Sequence, residues 1–481
     1  MPDRPSVLLI VVDGLRPDAI DSALMPYLSS LRDEGCQYTS AVASFPSVTR
    51  SNAATLATGA HPARHGVFGN RVWHKSTGVL DTGKVIDVRS LLSVGAMPQP
   101  SLSELLERAG HTAVVVGNGS AGCTQLLNPG VDRGHGAAIA SVGAVGSPTI
   151  GLPARVQESL VPLGSPPEPA DDSLDWAGDA AVACLDTMRP DLLTFWSGQP
   201  DTVHHHTGPW SAASQATLRR IDDVIRRIHA AAQKPGRPCN VIVTADHGFC
   251  ETTESMELDA DLNAAAAVGI DPDDVVSTYN SGVVLVYLRD HVGPADRAAL
   301  ANELAQQVWA GPVVCNDEEC PDTAFPASWV TGGDSDFAPD IFVTMAADAT
   351  QPDGPNPQGR AIHARPTGSK AYAGVHGTLH PRDMQIPLIL HGPDFATRAT
   401  ESTPAGIVDI APTIHRLLLA EPMPEADGRE LTEALRSPAG RRSPSPSATV
   451  VNRQRGRHRL TFHDTDKHRY LLGSATIEVQ P

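Results

Sequence analysis

Aromatic side chains are scarce in this chain, at 4% of 481 residues, while Gly and Pro number 41 each. That balance describes a chain rich in turns rather than a bundle of long helices. No apolar run is long enough to span a bilayer, which argues against an integral membrane protein. The seven cysteines (Cys36, Cys123, Cys184, Cys239, Cys250, Cys315, Cys320) are odd in number and scattered, with no C-x-x-C pair. A disulfide scaffold is therefore excluded, and reduced thiols in a cytoplasmic protein are expected. Only Cys315 and Cys320 lie close enough in sequence to invite pairing, and nothing demands it. No signal peptide precedes the first apolar run, which starts at Val7 and meets Asp13 at once. Positive charge is also in short supply: the formal net charge is −18. Such a surface repels a nucleic-acid backbone, so a polymer partner is not expected. A small anionic substrate would need local positive charge, which bound metal ions can supply. Hydrophobic content of 41% and charged content of 19% otherwise describe an ordinary globular chain with room for a large core.

The most informative stretch runs from Ser44 to Asn70, SFPSVTRSNAATLATGAHPARHGVFGN. PSVTRSN is polar and turn-like, and Asn52–Thr58 predicts the start of a helix of small residues that Gly59 and Pro62 stop. A hydroxyl ahead of a helix N-terminus lies where backbone N–H groups and the dipole favour an anion, which suits a nucleophile attacking phosphorus. Thr49 or Ser51 serves equally well as a plain helix cap.

Other stretches tip that balance toward chemistry. Ser6–Val12 (SVLLIVV) predicts a buried parallel strand closed by DGLRPD, which puts Asp13 beyond a strand's carboxyl end, where open α/β sheets bind ligands. LLTFW, a second buried strand, leads into SGQPDTVHHHTGPW, where Asp201 and His205 stand four apart and can face one metal ion. A solvated His-rich loop is the plainer account of His204, His205 and His206. NVIVTADHGF repeats the pattern, strand then Asp246-His247, and GVHGTLHPRDMQIPLILHGPDF sets His376 on a Gly-flanked loop before another strand. Helices are expected at Met25–Gly35, from Ser101, through SLDWAGDAAVACLDTM, over Ala212–Gln233 and in IVDIAPTIHRLLLA. Gly119–Pro169 resists assignment and reads as loop-rich. The expected fold is α/β, a central and mostly parallel sheet flanked by helices. Residues 1–250 and 371–431 are expected to form the core and 251–370 a smaller inserted α+β subdomain. In 432–481 a flexible linker (Arg436–Ser447) is expected before a basic, partly β-like tail.

In the order DG…TxxN…DxxxHxxGP…ADHG…HG, the chain from Pro5 to Leu431 resembles the alkaline phosphatase superfamily. Within it the likeness is to the nucleotide pyrophosphatase/phosphodiesterase (type I phosphodiesterase) branch and its phosphonoacetate hydrolase relatives. The resemblance implies an alkaline-phosphatase-like sandwich and two zinc ions about 4 Å apart, other divalent metals being admissible. By motif, Asp201, His205 and His376 are implied to hold one ion. Asp13, Asp246 and His247 are implied to hold the other, with Thr49 bound to it as an alkoxide. Asn52 is implied to hydrogen-bond a phosphoryl oxygen.

The expected activity is then hydrolysis of a small phosphoester through a phosphothreonyl intermediate, first of all a phosphodiester or nucleotide anhydride. A phosphonate hydrolase comes second and a phosphomonoesterase third. A catalytically silent metal- or ligand-binding relative is the alternative from a different class, against which the intact set of Thr49, Asn52 and six ligands argues. Thr49 also excludes the formylglycine route of sulfatases sharing the fold. Two positions depart from the family pattern. Arg50 stands directly after the nucleophile, where phosphodiesterases often place an aromatic residue. Its planar cationic fork suits a second phosphate or carboxylate on the substrate, or else pairs with an acidic residue and shapes the loop. Trp196 matches the other stacking position, usually a Tyr, with core packing as the plainer account. The sequence leaves the oligomeric state open.

Overall fold

The computed structural model describes residues 5–142, 149–150, 158–167, 173–234, 238–257, 260–316, 320–348, 360–436, 449–465 and 468–476. Ser6–Val12 (β1) is apolar without alternation after its first residue, and only a strand covered on both faces hides all of it. It lies near the middle of a sheet with β2 (Cys36–Tyr38), β3 (Ala113–Ser120), β4 (Ala137–Val142), β5 (Thr149–Ile150), β6 (Leu192–Ser197), β7 (Cys239–Thr244), β8 (Leu388–His391) and β9 (Ala399–Glu401). The strand order is β9-β2-β8-β7-β1-β6-β3-β4-β5. The run β7-β1-β6-β3-β4 is parallel, and β8 closes against β7 in the opposite sense. Parallel neighbours need crossover connections. Helices Leu102–Arg108, Leu174–Met188 and Ala212–Ala232 provide them, the last burying Leu218, Ile221, Ile225 and Ile228 along one stripe. The register pairs Val11 with Trp196 and with Thr244, so the loops after β1, β6 and β7 leave the sheet along one edge. This is the α/β architecture the motif order implied.

Three expectations change. The helix after the turn begins at Thr49, not Asn52, because the turn is closed by backbone (Asn52 N–H to Val48 O, 3.1 Å) with Val48 as the cap residue and no hydroxyl cap. Gly59, at φ +63, ends it in the left-handed conformation that suits glycine. The region from Gly119 to Pro169 is not merely loop: it holds a helix (Ala121–Leu127) and two strands of the main sheet, β4 and β5, with 143–148, 151–157 and 168–169 outside the described residues. Its glycines hid this, because Gly122 is there for contact; a Cβ on it would stand 2.0 Å from Thr82 O. The tail is more than partly β-like. Thr449–Arg455, His458–Thr465 and His468–Thr476 form an antiparallel sheet whose Leu460, Phe462 and Leu471 join the main core. Of the expected linker, 437–447 lies outside the described residues.

Between Val275 and Met345 a second sheet carries its own cluster around Val286, Leu300, Leu304 and Val313. Its strand Val283–Leu288 alternates faces. Val284, Val286 and Leu288 face this cluster, whereas Val283, Leu285 and Tyr287 join the main core. Phe342, from the neighbouring strand, packs on Phe45 and Phe68 of the Ser44–Asn70 stretch. Among the described residues, no helix is long and apolar enough to cross a membrane.

The C-terminal sheet is also tied down by a buried polar knot. Tyr470 Oη donates to Asp409 Oδ2 (3.0 Å) and accepts from Arg429 Nε (3.0 Å), while Arg429 also grips Glu433. Tyr470→Phe leaves Arg429 Nε without its acceptor, while Asp409 Oδ2 keeps the Gly406 N–H at 2.8 Å. It should lower stability by about 1–3 kcal/mol, read as a lower urea midpoint at unchanged slope. A change below about 0.3 kcal/mol would show that the knot contributes nothing net.

Candidate active site

Two Asp/His clusters form where the loops leave the sheet edge. Asp201, His205 and His376 each offer a ligand atom, all mutually within 4.8 Å, and so do Asp13, Asp246 and His247. In the first, Asp201 Oδ1 is 3.4 Å from His205 Nε2 and 3.5 Å from His376 Nε2. In the second, His247 Nε2 is 3.4 Å from Asp13 Oδ1 and 3.3 Å from Asp246 Oδ2. The two clusters touch through parallel stacking of His247 on His376, ring centroids 3.7 Å apart.

Glycines fix the loops that carry these groups. Gly14 has φ +72 and donates its N–H to Asp246 Oδ1 at 3.1 Å, which locks the loop after β1 to the loop after β7. Gly248 has no room for a side chain: a Cβ would stand 1.9 Å from Arg382 O. The glycines of the DG and ADHG motifs are thus read out as close approaches.

The histidines are pre-oriented. His205 Nδ1 bonds Gly374 O (2.8 Å), His376 Nδ1 bonds Ser47 O (3.0 Å) and His247 Nδ1 bonds Gly248 O (2.9 Å). A carbonyl only accepts, so each Nδ1 carries a proton and each Nε2 is turned toward the cluster, the orientation of ligating imidazoles. The carboxylates complement them: Asp13 Oδ1, Asp201 Oδ1 and Asp246 Oδ2 are buried and make no hydrogen bond. Burial pushes Asp13 well above the usual carboxylate range, with repulsion from Asp246 and Asp201 adding to it. Burial likewise raises Asp246. For Asp201 burial is outweighed by His205, His376 and His247, and its carboxyl is held low. His376 is pushed well below the usual imidazole range by burial and then by His247. Three orphaned carboxylate oxygens and three Nε2 lone pairs fit two divalent cations, and the N/O donor set suits zinc.

Thr49 is the first residue of its helix, with Oγ1 3.5 Å from His247 Nε2. The structure therefore brings Thr49 together with all six expected ligands. His204 stays outside both clusters, its two ring nitrogens unpartnered and its ring edge-on to Phe249, and His206 is exposed beside Lys370.

Two expectations fail. Asn52 is fully buried and its amide is engaged within its own loop. Its Oδ1 accepts Ser44 N–H at 2.9 Å, and its Nδ2 lies 3.2–3.3 Å from the carbonyls of Ser44, Pro46 and Val48. The amide clamps the loop that presents Thr49. Trp196 is 1% exposed and offers no stacking face; its Nε1–H donates to Asp13 Oδ2 at 3.2 Å and aims that carboxylate. The sequence reading also missed Asn70, the last residue of HGVFGN. Its Oδ1 accepts the N–H of Arg50 (3.0 Å), next to Thr49, and its Nδ2 makes no hydrogen bond among the described residues. The signal was the spare Asn closing a Gly-rich turn.

The sheet topology and twin Asp/His clusters define an alkaline-phosphatase-like α/β protein. The family model described as type I phosphodiesterase / nucleotide pyrophosphatase matches residues 7–377, and the chain belongs to that family. It is similar to an uncharacterized pyrophosphatase/phosphodiesterase of Schizosaccharomyces pombe, 24% identical over 52% of this chain and 46% of that protein. The likeness extends to ectonucleotide pyrophosphatase/phosphodiesterase family member 3 of Rattus norvegicus, 23% identical over 52% of this chain and 26% of that protein. The chain thus spans less than half the length of these relatives. Murine ectonucleotide pyrophosphatase/phosphodiesterase 5 shares the fold, with a TM-score of 0.60 and 18% identity over 89% of this chain and all of that one. An inactive form of the same mouse protein is known in complex with AMP.

Two substitutions test this geometry. Trp196→Phe keeps the ring in the core and removes the bond to Asp13, so affinity for a divalent cation, with zinc as the probe, should fall about 10–100-fold with little change in melting temperature. Unchanged affinity would reduce Trp196 to packing. Asn52→Ala should cost about 2–3 kcal/mol of stability, because buried loop groups lose their partners. Full stability with lost turnover would return Asn52 to the substrate.

Proposed function

We propose that the chain is a two-zinc phosphoester hydrolase with Thr49 as nucleophile, acting on a small phosphodiester or nucleotide-type anhydride. The observation that carries this is Thr49 Oγ1, held at a helix N-terminus 3.5 Å from His247 Nε2 where both clusters meet. Asp201, His205 and His376 would hold one ion, and Asp13, Asp246 and His247 the other. Bound there, they would supply the positive charge that makes a threonine hydroxyl acidic enough to attack and that steadies the leaving oxygen.

The chain's own residues do the rest. Thr49 Oγ1 attacks phosphorus as the bond to the leaving oxygen breaks, which gives a phosphothreonine. Water then attacks that phosphorus and returns the hydroxyl. The helix dipole favours the anionic phosphoryl group, and Asn70 Nδ2 is the free amide donor for one of its oxygens. Asn52 and the Ser47 O–His376 bond keep the Thr49 loop in register with the clusters. AMP binding by the mouse structural neighbour and the family's description support a nucleotide-type substrate. The seven cysteines, none of them in a disulfide, support a reducing compartment.

The decisive experiment is turnover of bis-p-nitrophenyl phosphate, p-nitrophenyl phosphate and phosphonoacetate by the parent and by Thr49→Ala. The diester should be the best substrate. The variant should keep its fold and about two zinc ions per chain while turnover disappears. Residual kcat within about tenfold of the parent, roughly 1.4 kcal/mol in barrier, would move the nucleophile elsewhere. Chelation should abolish activity and zinc restore it. His205→Ala and His376→Ala should each lose one ion, whereas His204→Ala and His206→Ala should keep both.

A further inference from the structure

Arg50 Nη2 reaches the carboxyl end of β3, where it donates to Ser120 Oγ at 2.8 Å. Its Nε is buried without a hydrogen bond, and no carboxylate lies within ion-pair distance of the guanidinium among the described residues. Against the dominant effect of burial, the charge of Arg50 lowers the pKa of the Asp13 carboxyl. The nearby Asp81 is engaged elsewhere: its Oδ1 accepts Gly83 N–H at 3.0 Å, and its Oδ2 faces Lys84 Nζ at 3.6 Å. Space beside the guanidinium is preserved by glycine, since a Cβ on Gly83 would stand 3.3 Å from Arg50 Nη2. Asn118, two residues before Ser120 on the same strand end, is 4% exposed. Its Oδ1 accepts Gly198 N–H at 2.7 Å, and its buried Nδ2 has no partner.

These donors have a common complement. Nη2 carries two hydrogens, so with one on Ser120 the other still forms a fork with Nε–H, the edge that holds a carboxylate or phosphate bidentately. Buried donors left without an acceptor are costly, and an anionic oxygen relieves them. Arg50 follows Thr49 directly in the chain and its guanidinium is anchored on Ser120, which suits a second anionic group carried on a short linker from the phosphoryl group at Thr49. An aromatic platform is missing at the same place, because Trp196 is enclosed.

We propose that Arg50, with Ser120 and Asn118, forms an anion subsite that receives a second negatively charged group of the substrate, a carboxylate or a phosphate. The assignment rests on the Thr49 reading for where the scissile phosphorus lies. It makes the protein selective for doubly anionic phosphoesters over singly anionic ones, against the chain's overall negative charge.

The test compares zinc-loaded parent, Arg50→Ala, Arg50→Lys and Ser120→Ala on three p-nitrophenyl diesters that differ only in the second alcohol: propyl, 2-carboxyethyl and 2-phosphonoethyl. The parent should favour one or both charged esters by at least about tenfold in kcat/KM, and the better one identifies the group. Arg50→Ala should bring that preference to within about twofold, chiefly through KM, with Ser120→Ala intermediate. Arg50→Lys, which keeps the charge but loses the fork, should retain part of it. No preference in the parent, or an equal loss on all three esters in Arg50→Ala, overturns the proposal. If no ester turns over, the hydrolase reading fails, and calorimetry still decides the subsite. The parent should bind 3-phosphonopropanoate at least about tenfold more tightly than propylphosphonate, and Arg50→Ala should not. Equal affinities in the parent overturn the subsite.

Discussion

Three carboxylates, those of Asp13, Asp201 and Asp246, share one enclosed space with three imidazoles, and the rest of the fold is arranged around that constraint. Two like charges about 4 Å apart repel by about 4 kcal/mol at an effective dielectric of about 20, so such a group is a liability unless cations are held with it. Burial and mutual repulsion accordingly push Asp13 and Asp246 toward the protonated form. The structure does not dissipate this strain by pairing the oxygens with donors; it leaves one on each carboxylate unpartnered. It orients the imidazoles instead, each tied by Nδ1 to a main-chain carbonyl.

Holding that arrangement takes a second layer of contacts from distant parts of the chain. Trp196 steers Asp13 from the strand next door, and Gly14 joins the loops after β1 and β7 through Asp246. The loop before Thr49 is pinned twice, internally by the Asn52 amide and externally by the Ser47 O–His376 bond. Phe45 of the same loop packs on Phe342 of the second sheet. The position of Thr49 is therefore fixed by the main core, the second sheet and the His376 loop together, though these lie far apart in sequence.

The surroundings of Thr49 are asymmetric in charge. On one side stand the acidic clusters, and on the other Arg50, Asn70 and Asn118 supply donors with few acceptors of their own. An anion bridging the two would meet cations at one end and a guanidinium at the other. That polarity bears on selectivity more than on the reaction class, since the proposed function rests the chemistry on the clusters and Thr49.

Much of this was legible in the sequence because parallel strands are local objects. A run such as SVLLIVV ending in DG, or NVIVT ending in ADHG, announces both a buried strand and a polar group at its carboxyl end, and the glycines mark where backbone must approach backbone. The order of those stretches was enough to imply the α/β fold and to nominate all six cluster residues and Thr49. What it did not determine was the use of side chains whose partners are chosen by the folded chain, whether a few residues away within a turn or 183 away across the sheet. Asn52 resembled a substrate donor by spacing, but its amide is consumed by the carbonyls of its own loop, which only the folded turn brings within reach. Trp196 resembled a stacking surface until the neighbouring strands enclosed it against Asp13. The strands hidden in the Gly-rich 119–169 region and the sheet at the C-terminus likewise depend on packing, since glycine selected for close contact looks, in one dimension, like glycine selected for a turn.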